Sequence, residues 1–296
     1  MALAALSGDE QCIIFSQLRN TLDPGIAVAF SSTSSELRAL TQAPRQQLRA
    51  DHEAAAALGR KLGKRSCKEL REAKTVRCNR KGLSVDDLAT LGTLSSVLPA
   101  LEMLNLTEPT AGPDGVQRLV EKLGARALPA VTFLTLNSMH VGDAGASALA
   151  AALGRGALPR LKRLRLLDTA IGDAGLVALA PALRRLTAAL EILDLADNPF
   201  SDEGLAALVA PPPPPAGALP PPTGVLTKLK LLGLSFTQIN DAGCAALASA
   251  LDRGALPVLE RLDLPGIPAS AAAKAAVMEA VELIRDKSIS WRCLLV

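Results

Sequence analysis

Six stretches of this chain carry leucine or valine at the first, fourth and sixth positions of a hexapeptide. They are Leu101/Leu104/Leu106, Val131/Leu134/Leu136, Leu161/Leu164/Leu166, Leu190/Leu193/Leu195, Leu229/Leu232/Leu234 and Leu259/Leu262/Leu264. Successive copies lie 30, 30, 29, 39 and 30 residues apart, and a weaker copy, Ala73/Val76/Cys78, precedes the first by 28. A unit of about thirty residues cannot bury its own leucines, so a chain built this way must stack its units into a solenoid.

Each unit has the same anatomy. An "LP-x-L" entry leads into a short alternating run that reads as a strand. Glycine follows nine residues after the last frame leucine at Gly115, Gly145, Gly175, Gly204 and Gly243, and helical spacing comes next, as in Leu176/Leu179/Leu183. Apolar residues make up 49% of the chain but aromatic residues only 2%, which suits a regularly stacked core of leucine, alanine and valine.

On these residues, roughly Cys67 to Gly266, the chain resembles the leucine-rich repeat family in its long, ribonuclease-inhibitor-like subclass. The resemblance implies an α/β horseshoe with parallel strands on the concave face and helices on the convex face. One departure concerns the position three after the last frame leucine, where many such repeats carry Asn or Cys. Here it reads Pro109, Met139, Thr169, Asn198 and Thr237, so the polar ladder at that corner is expected to be incomplete.

The recurring "VGDAG", "IGDAG" and "INDAG" turns invite a ligand-loop reading. Asp143, Asp173, Asp202 and Asp241 come one per unit along a turn, and nothing in their spacing shows them converging on one ion. They are read as acceptors for unpaired helix-start N–H groups, and the glycine two residues on as a point of close approach between coils.

Strand side chains alternate, so the residues flanking the frame leucines face the concave surface. They are Met103 and Asn105, Phe133 and Thr135, Arg163 and Arg165, Ile192 and Asp194, Leu231 and Gly233, and Arg261 and Asp263. Phe133 beside Arg163 and Arg165 is the group most like an interface hot spot, since aromatic residues and arginine dominate interface energies. The expected function is a non-enzymatic scaffold that holds a partner protein there, with no cofactor, metal or small-molecule substrate. Two histidines, His52 and His140, have no nucleophile at a suggestive spacing. "GRKLGKRS" (Gly59 to Ser66) fails as a phosphate loop, because three residues separate its glycines and Arg65 stands where Ser or Thr would hold magnesium. A Ran-type GTPase-activating horseshoe is the catalytic-like alternative in the subclass, but the end "IRDKSISWRCLLV" lacks the acidic tail expected of it.

The flanking segments differ in kind. Residues 1–62 read as a helical segment, 63–266 as the repeat domain with a proline-rich insert at 211–224, and 267–296 as a capping helix and tail. The first segment resembles a degenerate F-box: Leu6, Asp9/Glu10, Ile14-Phe15, Leu18, Leu22-Asp23, Val28, Ser32 and Leu37 fall where that motif places its residues. Ser7 replaces its usual proline and no tryptophan follows near Ser35. The resemblance implies a substrate adaptor of a cullin-RING ubiquitin ligase that would grip a Skp-type adaptor through Leu6, Ile14, Phe15, Leu18 and Leu22. The other reading is a helical cap over the first coil. Pro211 to Gly224 favours extended polyproline II, either as a spacer or as a ligand for an SH3, WW or profilin-type groove. Ser270 to Lys287 reads as a helix whose Val277, Ala280, Val281 and Ile284 would cover the last coil. The final Cys293-Leu294-Leu295-Val296 formally matches a prenylation signal with an unusual last residue.

Charge is uneven. Arg60 to Lys81 holds ten basic and two acidic residues, a local +8 in a chain of net charge +3. Such a patch fits a solvated helix face or a nucleic-acid contact. Five scattered cysteines without a C-x-x-C pair indicate neither zinc nor a disulfide framework. With no leader and no apolar run of about eighteen residues, the chain is expected in the cytoplasm or the nucleus and not in a membrane.

Overall fold

The computed structural model describes residues 7–186, 190–209 and 226–293. Leu6, the proline-rich insert and Leu294 to Val296 lie outside the described residues. Seven parallel strands form one sheet in chain order: β1 (Thr75–Asn79), β2 (Met103–Thr107), β3 (Phe133–Leu136), β4 (Arg163–Arg165), β5 (Ile192–Asp194), β6 (Leu231–Gly233) and β7 (Arg261–Asp263). Register is kept throughout, so that Leu104, Leu134, Leu164, Leu193, Leu232 and Leu262 stand side by side. All six are buried, as are the leucines and the valine that bracket them in the frame.

The strands alternate with helices α6 (Val85–Leu94), α7 (Gly112–Glu121), α8 (Gly142–Gly154), α9 (Asp173–Arg185), α10 (Asp202–Val209) and α11 (Asp241–Asp252). Each helix packs on the next. Neighbouring strands lie about 4.8 Å apart, whereas packed helices need about 8–10 Å. A stack with one strand and one helix per coil therefore bends toward its sheet, which places the strands on the concave side. The return from helix to strand passes through Leu128, Leu158, Leu226 and Leu256, held at φ of 51 to 54°. Glycine would adopt that left-handed turn with less strain, but each leucine is buried in the core, and that burial offsets the backbone cost.

Both ends of the stack are covered. At the start, α1 (Gly8–Leu18), α2 (Gly25–Ser31) and α3 (Ser35–Leu40) lead into α4 (Gln42–Lys61), followed by the short α5 (Cys67–Arg71). Helix α4 packs on α6 and serves two cores. Its Leu48 joins Phe15 and Ala27 in a small cluster, while Ala55 and Leu58, with Leu22 and Leu62, belong to the continuous core of the solenoid. The N-terminal segment is thus packed into the repeat domain rather than tethered to it. At the far end, α12 (Ala271–Cys293) lies on α11, with Val277, Ala280 and Val281 buried against the last coil and Ile284 packed beside them.

Candidate protein-recognition surface

The side chains between the frame leucines line up in two rows across the sheet. One row runs Thr75, Met103, Phe133, Arg163, Ile192, Leu231, Arg261; the other runs Arg77, Asn105, Thr135, Arg165, Asp194, Gly233, Asp263. Every residue expected on the concave face falls in one of them, and β1 adds Thr75 and Arg77. The rows are not uniform. Arg163, Arg165 and Arg261 are exposed, Met103, Asn105, Phe133, Ile192, Asp194, Leu231 and Asp263 are half-buried, and Thr135 is only 3% exposed. Thr135 therefore offers no surface to a partner. Its hydroxyl has no hydrogen-bond partner among the described residues, a deficit that costs about 1–3 kcal/mol.

One arrangement joins the rows. The Arg165 guanidinium lies 5.5 Å from the Phe133 ring centroid, within reach of a cation–π attraction. Its Nε is also 4.0 Å from Asp194 Oδ2 on the next strand. A single arginine thus links the aromatic of β3 to the carboxylate of β5. Gly233, beside Asp194, leaves room for that carboxylate: a Cβ there would sit 2.5 Å from Asp194 Oδ1. The Arg163 guanidinium has no polar partner among the described residues. At the far edge, Arg261 donates from Nε to Asp263 Oδ1 at 2.9 Å and so neutralises its own strand.

A third row, legible in the sequence but not recognised there, borders the first. The residue after the first frame position reads Lys74, Glu102, Thr132, Lys162, Glu191, Lys230, Glu260. Backbone bonds hold each beside the next: the N–H groups of Glu102 and Met103 donate to the Lys74 carbonyl, and those of Glu191 and Ile192 to the Lys162 carbonyl. Lys74 pairs with Glu102 at 3.2 Å and Lys162 with Glu191 at 3.5 Å. This edge is charged but self-neutralised.

The aspartates of the repeated turns do accept helix-start N–H groups, but from the following coil, not their own. Asp143 Oδ1 accepts from Gly172 N at 2.7 Å, Asp202 Oδ1 from Asn240 N at 2.9 Å, and Asp241 Oδ1 from Ser270 N. Asp173 accepts from Ser201 N, Ser201 Oγ and Gly204 N, all at 2.8 Å. Burial pushes the Asp173 carboxyl up, yet the bonds from Ser201 and Gly204 outweigh it and hold the group below its ordinary value. Bonds from Ser270 lower Asp241 in the same way. In the later turns the glycine is where the aspartate of the preceding coil arrives: a Cβ on Gly175 would lie 2.5 Å from Asp143 Oδ1, and one on Gly204 would lie 2.8 Å from Asp173 Oδ1, whereas one on Gly145 would meet Val141 and Val116. These acids stitch coils together. Among the described residues, no group of His, Cys, Asp and Glu is arranged to hold a metal ion.

The incomplete corner ladder is filled by different chemistry in different coils. Asn198 accepts on Oδ1 from Thr169 N, Thr169 Oγ1 and Ile171 N, and donates from Nδ2 to the carbonyls of Leu166, Leu195 and Ala196. In the coil of β2, Pro109 has no donor to offer, and the preceding Glu108 does the work while fully buried. It accepts from Lys81 N, from Gly82 N at 3.1 Å and from the Cys78 thiol at 3.1 Å. Burial and the Glu108 carboxylate push the Cys78 thiol up to about 12, which leaves it unreactive.

The structure brings His52 near Cys67, a pair with no signature in the sequence. His52 Nδ1 lies 2.7 Å from the Thr21 carbonyl and 3.9 Å from Cys67 Sγ. A carbonyl only accepts, so Nδ1 carries the proton and cannot take one from the thiol. Burial raises the Cys67 thiol as well. The pair lacks the activation a nucleophile needs.

At the N-terminus, Phe15 and Leu22 are 1% and 4% exposed, so neither presents a side chain to an adaptor. Leu18 packs on the small core and Ile14 is half-buried. The exposed apolar side chains there are Ile13, Ile26 and Leu40, outside the motif positions, and Val28, which is one of them. The basic stretch Arg60 to Lys81 is spread over the end of α4, α5, β1 and the turn beyond. Lys61 is paired with Asp87, Arg71 with Asp23 and Lys74 with Glu102.

Comparison with known protein families matches residues 158–180, 189–209 and 225–248 to the family described as Leucine Rich repeat. This is a leucine-rich-repeat solenoid. The three matched stretches each span a strand, its corner and the start of its helix, and the remaining coils keep the same frame and the same sheet register. No curated protein matches the chain. No described helix is long and apolar enough to cross a membrane.

Proposed function

We propose that this solenoid holds a partner protein on its concave face, centred on Phe133, Arg163 and Arg165, and that it does so without catalysis. Leucine-rich repeats serve as scaffolds for protein interaction, and the observation that carries the finer reading is the Phe133–Arg165 contact. An aromatic ring and two arginines share a surface whose other charges are largely paired within the sheet. Arg165 is held in place by Phe133 and Asp194, which reduces the entropy lost when a partner engages it. The proposal also places Met103, Asn105, Ile192, Asp194 and Leu231 within the partner's footprint.

A photo-crosslinking amino acid at Arg163 should capture the partner in cells, whereas the same group at exposed Val177 of α9, on the helical side, should not. Equal capture from both positions would remove the concave face from the account.

A second reading, the F-box-type adaptor role, is favoured by the exposed Ile13, Ile26, Val28 and Leu40 on three short helices. Replacing Ile13 and Ile26 by aspartate in the full chain should then release a Skp-type adaptor and cullin while the concave-face partner stays bound. If the native chain retains neither protein from a cell lysate, the N-terminal segment acts as a cap alone.

A further inference from the structure

Two residues beyond the last frame position, every coil but that of β2, where Glu108 sits at φ −131°, turns through a left-handed residue. These are Arg80, Ser138, Asp168, Asp197, Phe236 and Gly266, with φ between 50 and 74°. The turn recurs with the fold, and aspartate and glycine tolerate it best. Phenylalanine does not: a bulky side chain at positive φ is an outlier, and nothing in the coil geometry asks for one. Phe236 is nevertheless there, and it is 59% exposed. The next coil accommodates it, because a Cβ on Gly266 would overlap the Phe236 ring.

Its neighbours are as telling. Asp168 N donates to the Ala196 carbonyl, Asp197 N to Ser235 and Phe236 N to Pro265, so the three residues form one row along the rim of the sheet. Strand spacing sets them about 4.8 Å apart. Asp168 and Asp197 are exposed, and among the described residues neither carboxylate has a hydrogen-bond or ion-pair partner. This separates them from Asp173, Asp202 and Asp241, which are engaged by the next coil. One cation within about 6 Å of the Phe236 ring centroid would also reach the carboxylate of Asp197. A guanidinium fits both halves of that site, since it stacks on a ring face and donates in a fork to a carboxylate.

We propose that the Asp168–Asp197–Phe236 rim is a docking site for an arginine-bearing segment of a partner protein. The inference rests on reading the sheet side as a protein-recognition surface, and it names the partner's chemistry at one rim of it.

The test uses the full chain and a fluorescently labelled peptide of alternating arginine and glycine, followed by fluorescence anisotropy. Lysine–glycine and glutamate–glycine peptides serve as comparisons. The arginine peptide should bind in a salt-sensitive manner, the lysine peptide more weakly and the glutamate peptide not at all. Phe236→Gly removes the ring at a position where glycine is the favoured residue, so the variant should melt at the native temperature or above it. Its affinity for the arginine peptide should nonetheless fall about fivefold or more. Asp168→Asn with Asp197→Asn should weaken binding and flatten its salt dependence. The proposal is overturned if the native chain does not bind the arginine peptide, or if Phe236→Gly binds it as well as native. It is also overturned if binding is lost with Phe133→Asp/Arg165→Glu and kept with Phe236→Gly, which would move the site onto the strands. Because the peptide assay needs no natural partner, a concave face that captures nothing from a lysate leaves these outcomes readable.

Discussion

Two rows of acidic residues run along this solenoid, one residue per coil, and they differ in almost everything except charge. The helix-side row, Asp143, Asp173, Asp202 and Asp241, accepts backbone N–H groups across each junction between coils, and the glycines around it leave room for its carboxylates. Among the described residues the carboxylates of the rim acids, Asp168 and Asp197, accept nothing, and they stand beside an exposed aromatic ring. Periodicity alone does not distinguish a structural acid from an available one; the presence of a partner does. The first row belongs to the fold, and our proposal assigns the second to recognition.

The largest effect expected from this contrast is at Gly175. A Cβ there meets both Asp143 Oδ1 at 2.5 Å and Asp143 Cα at 3.0 Å, and the backbone atom cannot turn aside. Gly175→Ala should lower the midpoint of urea unfolding by an amount equivalent to about 1–3 kcal/mol, although alanine is the better helix former. A stability equal to native would show that the coils have slack at this junction.

Next comes Asp173→Asn. The amide keeps one acceptor oxygen but cannot receive the Ser201 hydroxyl as the second carboxylate oxygen does, and a loss of about 1–2 kcal/mol at neutral pH is expected. The pH dependence follows from the sign of the shift. The folded-state values of Asp173 and Asp241 are depressed. Their contribution is therefore complete above the unfolded aspartate value of about 3.9 and is lost as pH falls through the lower folded values. Urea midpoints measured from neutral to acidic pH should fall at the acid end, and less steeply in Asp173→Asn than in native.

The smallest effect belongs to the third row. Lys162→Glu places like charges side by side with Glu191, but both side chains are substantially exposed. A loss of about 0.5 kcal/mol or less is expected, seen as a slight shift of the thermal midpoint that disappears at high salt. A loss as large as that of Gly175→Ala would mean that this edge sets the register of the sheet.

The sequence frame carried the solenoid because its leucines do two things at once: they mark the strands and they are the core. From Leu104 to Leu262, the positions named by the frame are those that stand together in the sheet. The two concave rows followed from alternation alone. The parts not legible depend on contacts roughly thirty residues away. Asp173 opens its own helix, and only the stacking of coils shows that it serves Ser201 and Gly204. Glu108 takes over a corner that the frame assigns to Pro109. Thr135 has the right phase for the surface yet is buried beneath its neighbours. In the N-terminal segment, helical periodicity marks Phe15 and Leu22 as important, but it does not tell a core side chain from a docking one. Phe236 went unnoticed because a single aromatic in a turn has no period; its left-handed backbone and its neighbours give it meaning.

The central claim is that the side chains of the concave face around Phe133, Arg163 and Arg165 hold a partner, while the contacts between coils hold the fold. The most direct test is affinity capture from a lysate with native chain beside Phe133→Asp/Arg165→Glu, at matched thermal midpoints. The account predicts that the variant melts as native does and loses the proteins that native retains. Undiminished capture by a folded variant would contradict it.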